Sequence, residues 1–393
     1  VLGLFDDPYK FLDENRAKNT IQKPEFMQVA REAVAGSVVL LKNQNQLLPI
    51  EPQTPKKVVL IGAMMKDSIN VNGEWQGRGD RNQSVSLYKG LKEVYKGSAV
   101  QFSYAEGCTL TSNTPESIAK AVATAKAADM VLVALGEDFN WSGEAACLTD
   151  IRLKEAQRQL LAALKQTGKP IALVVFSGRP LALSWEDANV DAILQVWFPG
   201  TQSGYGIADV LSGAYNPSGR LVMTFPRNVG QIPIYYNQKA TGRPADPANP
   251  DVDYHSKYED SPLTPLYPFG YGLSYTTFAV KNAKLSSPTM AKGGKLTVTA
   301  EVSNTGKRDG ATVVQLYIRD RVGSVTRPVK ELKGFERVVL KAGETKTVSF
   351  EITEELLSFY NAELKKVSEP GKFTVWVGQH SADNNNEMSF ELK

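Results

Sequence analysis

Residues 136–150 read GEDFNWSGEAACLTD and follow directly on the apolar run MVLVAL at 130–135. Four carboxylic acids fall in this stretch, Glu137, Asp138, Glu144 and Asp150, with Phe139 and Trp141 among them. A carboxyl group packed against an aromatic surface can hold its proton near neutral pH, because burial disfavours the charged form. Glu144, flanked by Gly143 and close to Trp141, could occupy such a site and act as a general acid. The plain alternative is a solvated loop whose acids only meet water. Trp75 in NGEWQG (72–77) is the second candidate. An exposed Trp in a glycine-rich loop can stack on a sugar ring, a buried one merely packs, and the average burial of Trp favours packing. The two Trp residues and a carboxylate together point toward sugars.

Other chemistries find less support. The first apolar strand, KVVLIG (57–62), is followed by AMMKDS, which matches neither G-x-G-x-x-G nor G-x-x-x-x-G-K-[ST], so no nucleotide cofactor is expected. No G-x-S-x-G elbow occurs, and Ser177 in FSGRP reads as a turn or cap residue. Two cysteines, Cys108 and Cys147, and two histidines, His255 and His380, are too few for a disulfide framework or a His-rich metal site. The net charge of +3 is carried by scattered Lys and Arg, which gives no case for nucleic acid. No apolar run approaches the roughly 20 residues of a membrane span.

The elements that must position these residues fall into two textures. The short apolar runs at 57–62, 100–105, 130–136, 171–178 and 192–200 read as strands covered on both faces. Helical spacing is found at 25–41, 86–95, 115–127, 153–167 and 203–212, so strands and helices alternate and predict a mostly parallel, doubly wound sheet. In such sheets ligands gather beyond the C-terminal strand ends, where both NGEWQG and the 136–150 stretch fall. Residues 226–272 are rich in Pro, Asn and Tyr and read as a long surface connection. From about 273, alternating runs at 295–304, 311–320, 330–340, 345–352 and 371–378 predict an antiparallel β-sandwich.

Several stretches then match a family in order along nearly the whole chain: AREAVAGSVVLLKNQNQLLPI (30–50), NGEWQG (72–77), GEAACLTDI (143–151), the segment WFPGTQSGYGIADVLSGAYNPSGRLVMTFPRNVGQIPIYYN (197–237), LYPFGYGLSYTTF (266–278) and EVSNTGKRDGATVVQLYIRD (301–320). The chain resembles the C-terminal half of bacterial family-3 glycoside hydrolases, the β-glucosidase and β-xylosidase group. The resemblance implies an α/β sandwich with a mostly parallel six-stranded sheet, followed by an all-β fibronectin type III-like sandwich. It divides the chain into a linker at 1–27, the α/β domain at 28–237, a connecting segment at 238–272 and the fibronectin-like domain at 273–393. The opening VLGLFDDPYKFLDE, with no initiator Met and a turn at FDDP, is similar to the segment that leaves the family's N-terminal (β/α)8 barrel.

The resemblance also assigns roles. Family members are retaining, exo-acting enzymes with an Asp nucleophile on the barrel and an acid/base, often a Glu, on a loop of the second domain. Glu144 matches the acid/base, and Trp75 and Trp141 are the expected substrate-binding aromatics, with Glu137 and Asp138 as competing acids. Many relatives carry Arg where this chain has Leu148, which puts the ordering of this loop in question. Expected partners are a β-linked oligosaccharide or glycoside, the (β/α)8 barrel domain in cis or in trans, and a second copy in a homodimer. No cofactor, metal, nucleic acid or membrane insertion is expected, and the family analogy suggests a periplasmic or secreted protein. The other readings are a non-catalytic carbohydrate-binding module and a purely structural pair of domains.

Overall fold

The computed structural model describes residues 1–77, 79–245, 249 and 252–393, with Arg81 described by its backbone alone. Arg78 of the 71–80 loop, and residues 246–248, 250 and 251 of the expected connecting segment, lie outside the described residues. Helices α1 (Glu14–Thr20) and α2 (Pro24–Ser37) lead into the first strand, β1 (Val39–Asn43). Strands β2 (Lys56–Ile61), β3 (Val100–Ala105), β4 (Met130–Gly136), β5 (Ile171–Phe176) and β6 (Ala192–Gln195) follow, separated by α3 (Leu87–Val94), α4 (Pro115–Lys126), α5 (Glu155–Lys165) and α6 (Ser184–Asn189). Helix α7 (Ser203–Ser212) closes the series.

These strands form one sheet in the order β1-β6-β5-β4-β2-β3, parallel throughout except that β1 runs antiparallel to β6. Every residue of β4 and β5 is buried, as the unbroken apolar runs require. Alternate side chains serve the two faces. Val58, Leu60, Leu132, Ala134 and Val174 join Leu87, Leu91 and Ile207 in one core, while Val59, Ile61, Val133, Leu135 and Val175 join Ala121, Leu160 and Leu164 in the other.

The sequence places residues 39–41 at the end of a helix, and here the structure differs. Helix α2 stops at Ser37, whose hydroxyl donates to the Val34 carbonyl (2.9 Å), and Val39 pairs with Gln195 across the sheet. The run VVLL, buried almost completely, is too apolar on all sides for a helix that buries only Val34 and Ala35, and its β-branched residues favour a strand. This edge strand is the sixth of the sheet, which the five apolar runs alone do not show. Phe26 and Val29, which share helical spacing, are exposed.

The second domain is a sandwich. One sheet has the order β11-β10-β15-β16-β8 and the other β12-β9-β7. Their strands are β7 (Phe278–Leu285), β8 (Thr289–Met290), β9 (Lys295–Asn304), β10 (Gly310–Asp320), β11 (Glu331–Leu340), β12 (Thr345–Thr353), β15 (Gly371–Gly378) and β16 (Glu387–Leu392), with a small hairpin of β13 (Phe359–Tyr360) and β14 (Lys366–Val367). Strand β9 alternates exposed and buried residues, the pattern of a strand with one face in the core. The end of the connection is not a surface strand of loop: Tyr267 is buried in the α/β core, the Phe225 amide donates to its carbonyl (2.9 Å), and the Leu273 amide donates to Leu40 (2.8 Å).

Candidate active site

The strand order reverses between β2 and β4: after β2 the chain crosses to β3 on one side, then returns to β4 and continues to β5 and β6 on the other. The C-terminal ends of β2 and β4 therefore flank the switch point, where the loops splay apart and leave a crevice. NGEWQG comes from the loop after β2 and the acid-rich stretch from the loop after β4.

Short helical turns at Asn70–Asn72 and Phe139–Trp141 hold these loops together. The buried side chain of Asn70 accepts from the Phe139 amide (2.9 Å) and donates to Asp67 (2.6 Å), so one residue ties the two loops. Asp138 caps the second turn, accepting from the Asn140 amide (2.9 Å). Beyond it, Gly143 and Ala146 pair as an isolated antiparallel bridge, with Glu144 and Ala145 at the tip of the resulting tight turn. Ala145 takes φ +57 and Gly143 takes φ +147. Glycine at 143 answers both backbone and space: a Cβ there would stand 2.7 Å from Glu74 Cγ and 3.7 Å from Trp75 Nε1. On the other side, Gly178 after β5 has no room for a side chain because Ser142 lies against it. The turn is thus clamped between the loops after β2 and β5.

Glu144 is exposed at the tip of this turn, and Trp75 beside it is 75% exposed. The packing reading of Trp75 therefore does not describe this structure. Glu137 behaves differently. It is 3% exposed, pairs with Arg179 (3.2 Å) and accepts from the Gly178 amide (3.3 Å). Burial raises its pKa above the ordinary carboxylate value, with Arg179 pulling the other way. It braces the loop after β4 against the loop after β5. Asp150 pairs with Arg152 (2.6 Å), and hydrogen bonds from Arg152 lower its pKa to about 2. A carboxyl group held so acidic is no proton donor near neutral pH.

Trp141 is half-buried and carries the Lys154 ammonium 4.7 Å over its ring. It lines a cavity of about 340 Å3 with Asp67, Glu106, Thr109 and Asp138, whose lining includes neither Glu144 nor Trp75. The structure therefore sets Trp75 against Gly143, the residue before Glu144, and turns Trp141 toward a neighbouring space. Ser177 is fully buried, donating to the Arg179 carbonyl (2.8 Å) and accepting from Gln195 (2.9 Å), as a turn residue would. Leu148 packs partly buried against the core that contains β4. Sequence reasoning passed over Glu74, whose side chain lies against Gly143, although it adjoins Trp75 in the quoted motif. Among the described residues, no group of three or more His, Cys, Asp and Glu could hold a metal ion, and no helix is long and apolar enough to cross a membrane.

An exposed carboxylate and an exposed indole on one clamped ledge can meet a sugar from above, with the ring on the indole and the carboxyl at a glycosidic oxygen. Comparison with known proteins shows the following likenesses. The profile of the Glycosyl hydrolase family 3 C-terminal domain matches residues 38–275, and that of a Fibronectin type III-like domain matches residues 312–381. The chain is 45% identical over 418 residues to a periplasmic beta-glucosidase of Salmonella typhimurium, covering 100% of this chain and 54% of that protein. It is 39% identical to a beta-xylosidase of Formosa agariphila, covering 100% of this chain and 53% of the other. A crystal structure of beta-glucosidase from Listeria innocua in complex with gluconolactone superposes with TM-score 0.93 at 42% identity, over 99% of this chain and 52% of that one. The chain spans about half the length of the relatives it matches.

Proposed function

Because the chain belongs to glycosyl hydrolase family 3, we propose that it provides the acid/base half of a retaining, exo-acting β-glycosidase that removes terminal non-reducing β-linked sugars. Glu144 protonates the departing glycosidic oxygen and then takes a proton from the water that hydrolyses the glycosyl-enzyme. Trp75 stacks on the leaving-group sugar, and Trp141 contributes from the adjoining cavity. The observation that carries the reading is the clamped turn: Gly143 packed against Glu74 and Trp75 presents Glu144 in the open beside an exposed indole.

A retaining double displacement needs a second carboxyl about 5–5.5 Å from the first. That group is the Asp nucleophile of a (β/α)8 barrel seated against this ledge, in cis or in trans. An exposed Glu144 suits this arrangement, since the barrel itself would close over it and supply the desolvation a general acid needs. The name of the Salmonella typhimurium relative suggests a periplasmic setting.

The test is hydrolysis of p-nitrophenyl β-glucoside and β-xyloside by residues 1–393 and by a polypeptide carrying a family barrel ahead of residue 1. The chain alone is expected to be inactive. In the longer form, Glu144→Ala should cost roughly 10²–10⁴ in rate, the range for losing a general acid/base, and added azide should restore part of it. Turnover by the 393-residue chain alone, or full activity of the variant, would refute the assignment.

A further inference from the structure

The seam between the two domains encloses a separate cavity of about 560 Å3, far more polar than the cores beside it. Its wall is drawn from both sides, with Glu51 and Arg220 from the α/β domain and Arg308 and Gln379 from the fibronectin-like domain. Arg220 is the unusual member. Nη1 donates to the carbonyls of Gly272 (2.7 Å) and Gly219 (3.3 Å), and Nη2 to the Thr312 hydroxyl (2.9 Å). All three acceptors are neutral. Nε is buried and finds no hydrogen-bond partner among the described residues.

A guanidinium removed from water normally sits beside a carboxylate, because its desolvation is otherwise uncompensated. Burial lowers the Arg220 pKa to about 10, so the group remains charged at neutral pH. Glu51, the carboxylate of the described lining, is already bonded to Arg308. Two guanidiniums thus face one carboxylate across the cavity, leaving one positive charge unmatched and the Arg220 Nε–H undonated.

We propose that this interdomain cavity binds a small oxyanion, a carboxylate or phosphate group, held by Arg220 and Arg308. Planar guanidinium groups suit two-oxygen acceptors of this kind. The anion would neutralise the unmatched charge and bridge the domains, since its two cationic contacts come one from each. Binding only the folded state, it would stabilise that state in proportion to its occupancy.

The experiment titrates the 393-residue chain with inorganic phosphate and, separately, with glucuronate, against sodium chloride at matched ionic strength. Melting temperature and binding heat are followed. A saturable rise in Tm is expected. Arg308→Gln should weaken the apparent affinity about tenfold, the weight of one charge-assisted hydrogen bond, and Glu51→Gln, which frees Arg308, should strengthen it several-fold. Both variants change side chains that are 42% exposed, so the fold is preserved. Saturation by phosphate alone supports the proposal and identifies a free ion, whereas tighter saturation by glucuronate supports it and identifies an acidic sugar. If neither anion exceeds the chloride control, or if all three proteins respond alike, the proposal is overturned.

Discussion

At the scale of the residue, the four acids of one loop divide their roles by environment. Asp138 caps a turn, Asp150 is held ionised by Arg152, Glu137 is buried as a brace, and Glu144 is left free. The motif singled out Glu144 among the four carboxyls; their surroundings separate the other three. The brace makes a pH prediction. Burial raises the folded pKa of Glu137 above its ordinary 4.5, so the folded state holds this proton longer than the unfolded chain. Its contribution to stability is full below 4.5 and is lost as pH rises through the folded pKa. Wild type should therefore lose stability relative to Glu137→Gln on going up from pH 4.5, by at most about 1.4 kcal/mol per pH unit. Urea denaturation of both proteins at several pH values measures the difference. Parallel pH profiles would show that Glu137 titrates normally.

At the scale of the element, two helices of the α/β domain fit closely. Helices α3 and α7 cross at Gly90 and Gly204, each with its Cα against the other helix's backbone. A Cβ on Gly204 would meet the Ser86 carbonyl, and one on Gly90 would meet Gly204 itself. Backbone cannot swing away as a flexible side chain can, so the helices must part. Gly204→Ala should cost about 1–3 kcal/mol, the range for an overpacked core, read as a lower denaturation midpoint. An unchanged midpoint would mean the crossing is looser than this contact implies. Helix α7 follows β6 and packs on α2 as well, so the loss spreads to the edge strand β1.

At the scale of the whole molecule, the uncovered surface predicts behaviour in solution. Leu2, Phe5, Tyr9, Leu12, Ile21, Phe26 and Val29 are all exposed, and helix α1 buries no residue. Apolar surface in such concentration marks a contact face. Sedimentation velocity should show the 393-residue chain associating with rising concentration, and the double variant Phe5→Asp, Leu12→Asp should stay monomeric. Association of equal strength in that variant would place the contact elsewhere. The homodimer expected from the sequence is one form such association could take.

Read alone, the sequence determined the local order of the molecule. Apolar runs fixed the strands of the parallel sheet, although β3, at the sheet edge, leaves Gln101 and Ser103 exposed and is not covered on both faces; alternation fixed the sandwich, and motif order carried the family, because each is written in consecutive residues. It also named Glu144 and Trp75, but it could not show that the loops carrying them pack together at Gly143. Strand β1 was hidden inside a helical pattern because its partner, β6, lies some 150 residues away (Val39 with Gln195), and no local periodicity records such a pairing. The burial of Glu137, the turning aside of Trp141 and the unmatched charge of Arg220 likewise depend on groups brought together across the fold. Tertiary structure decided these, because solvation and Coulomb energy depend on distance in space and not on distance along the chain.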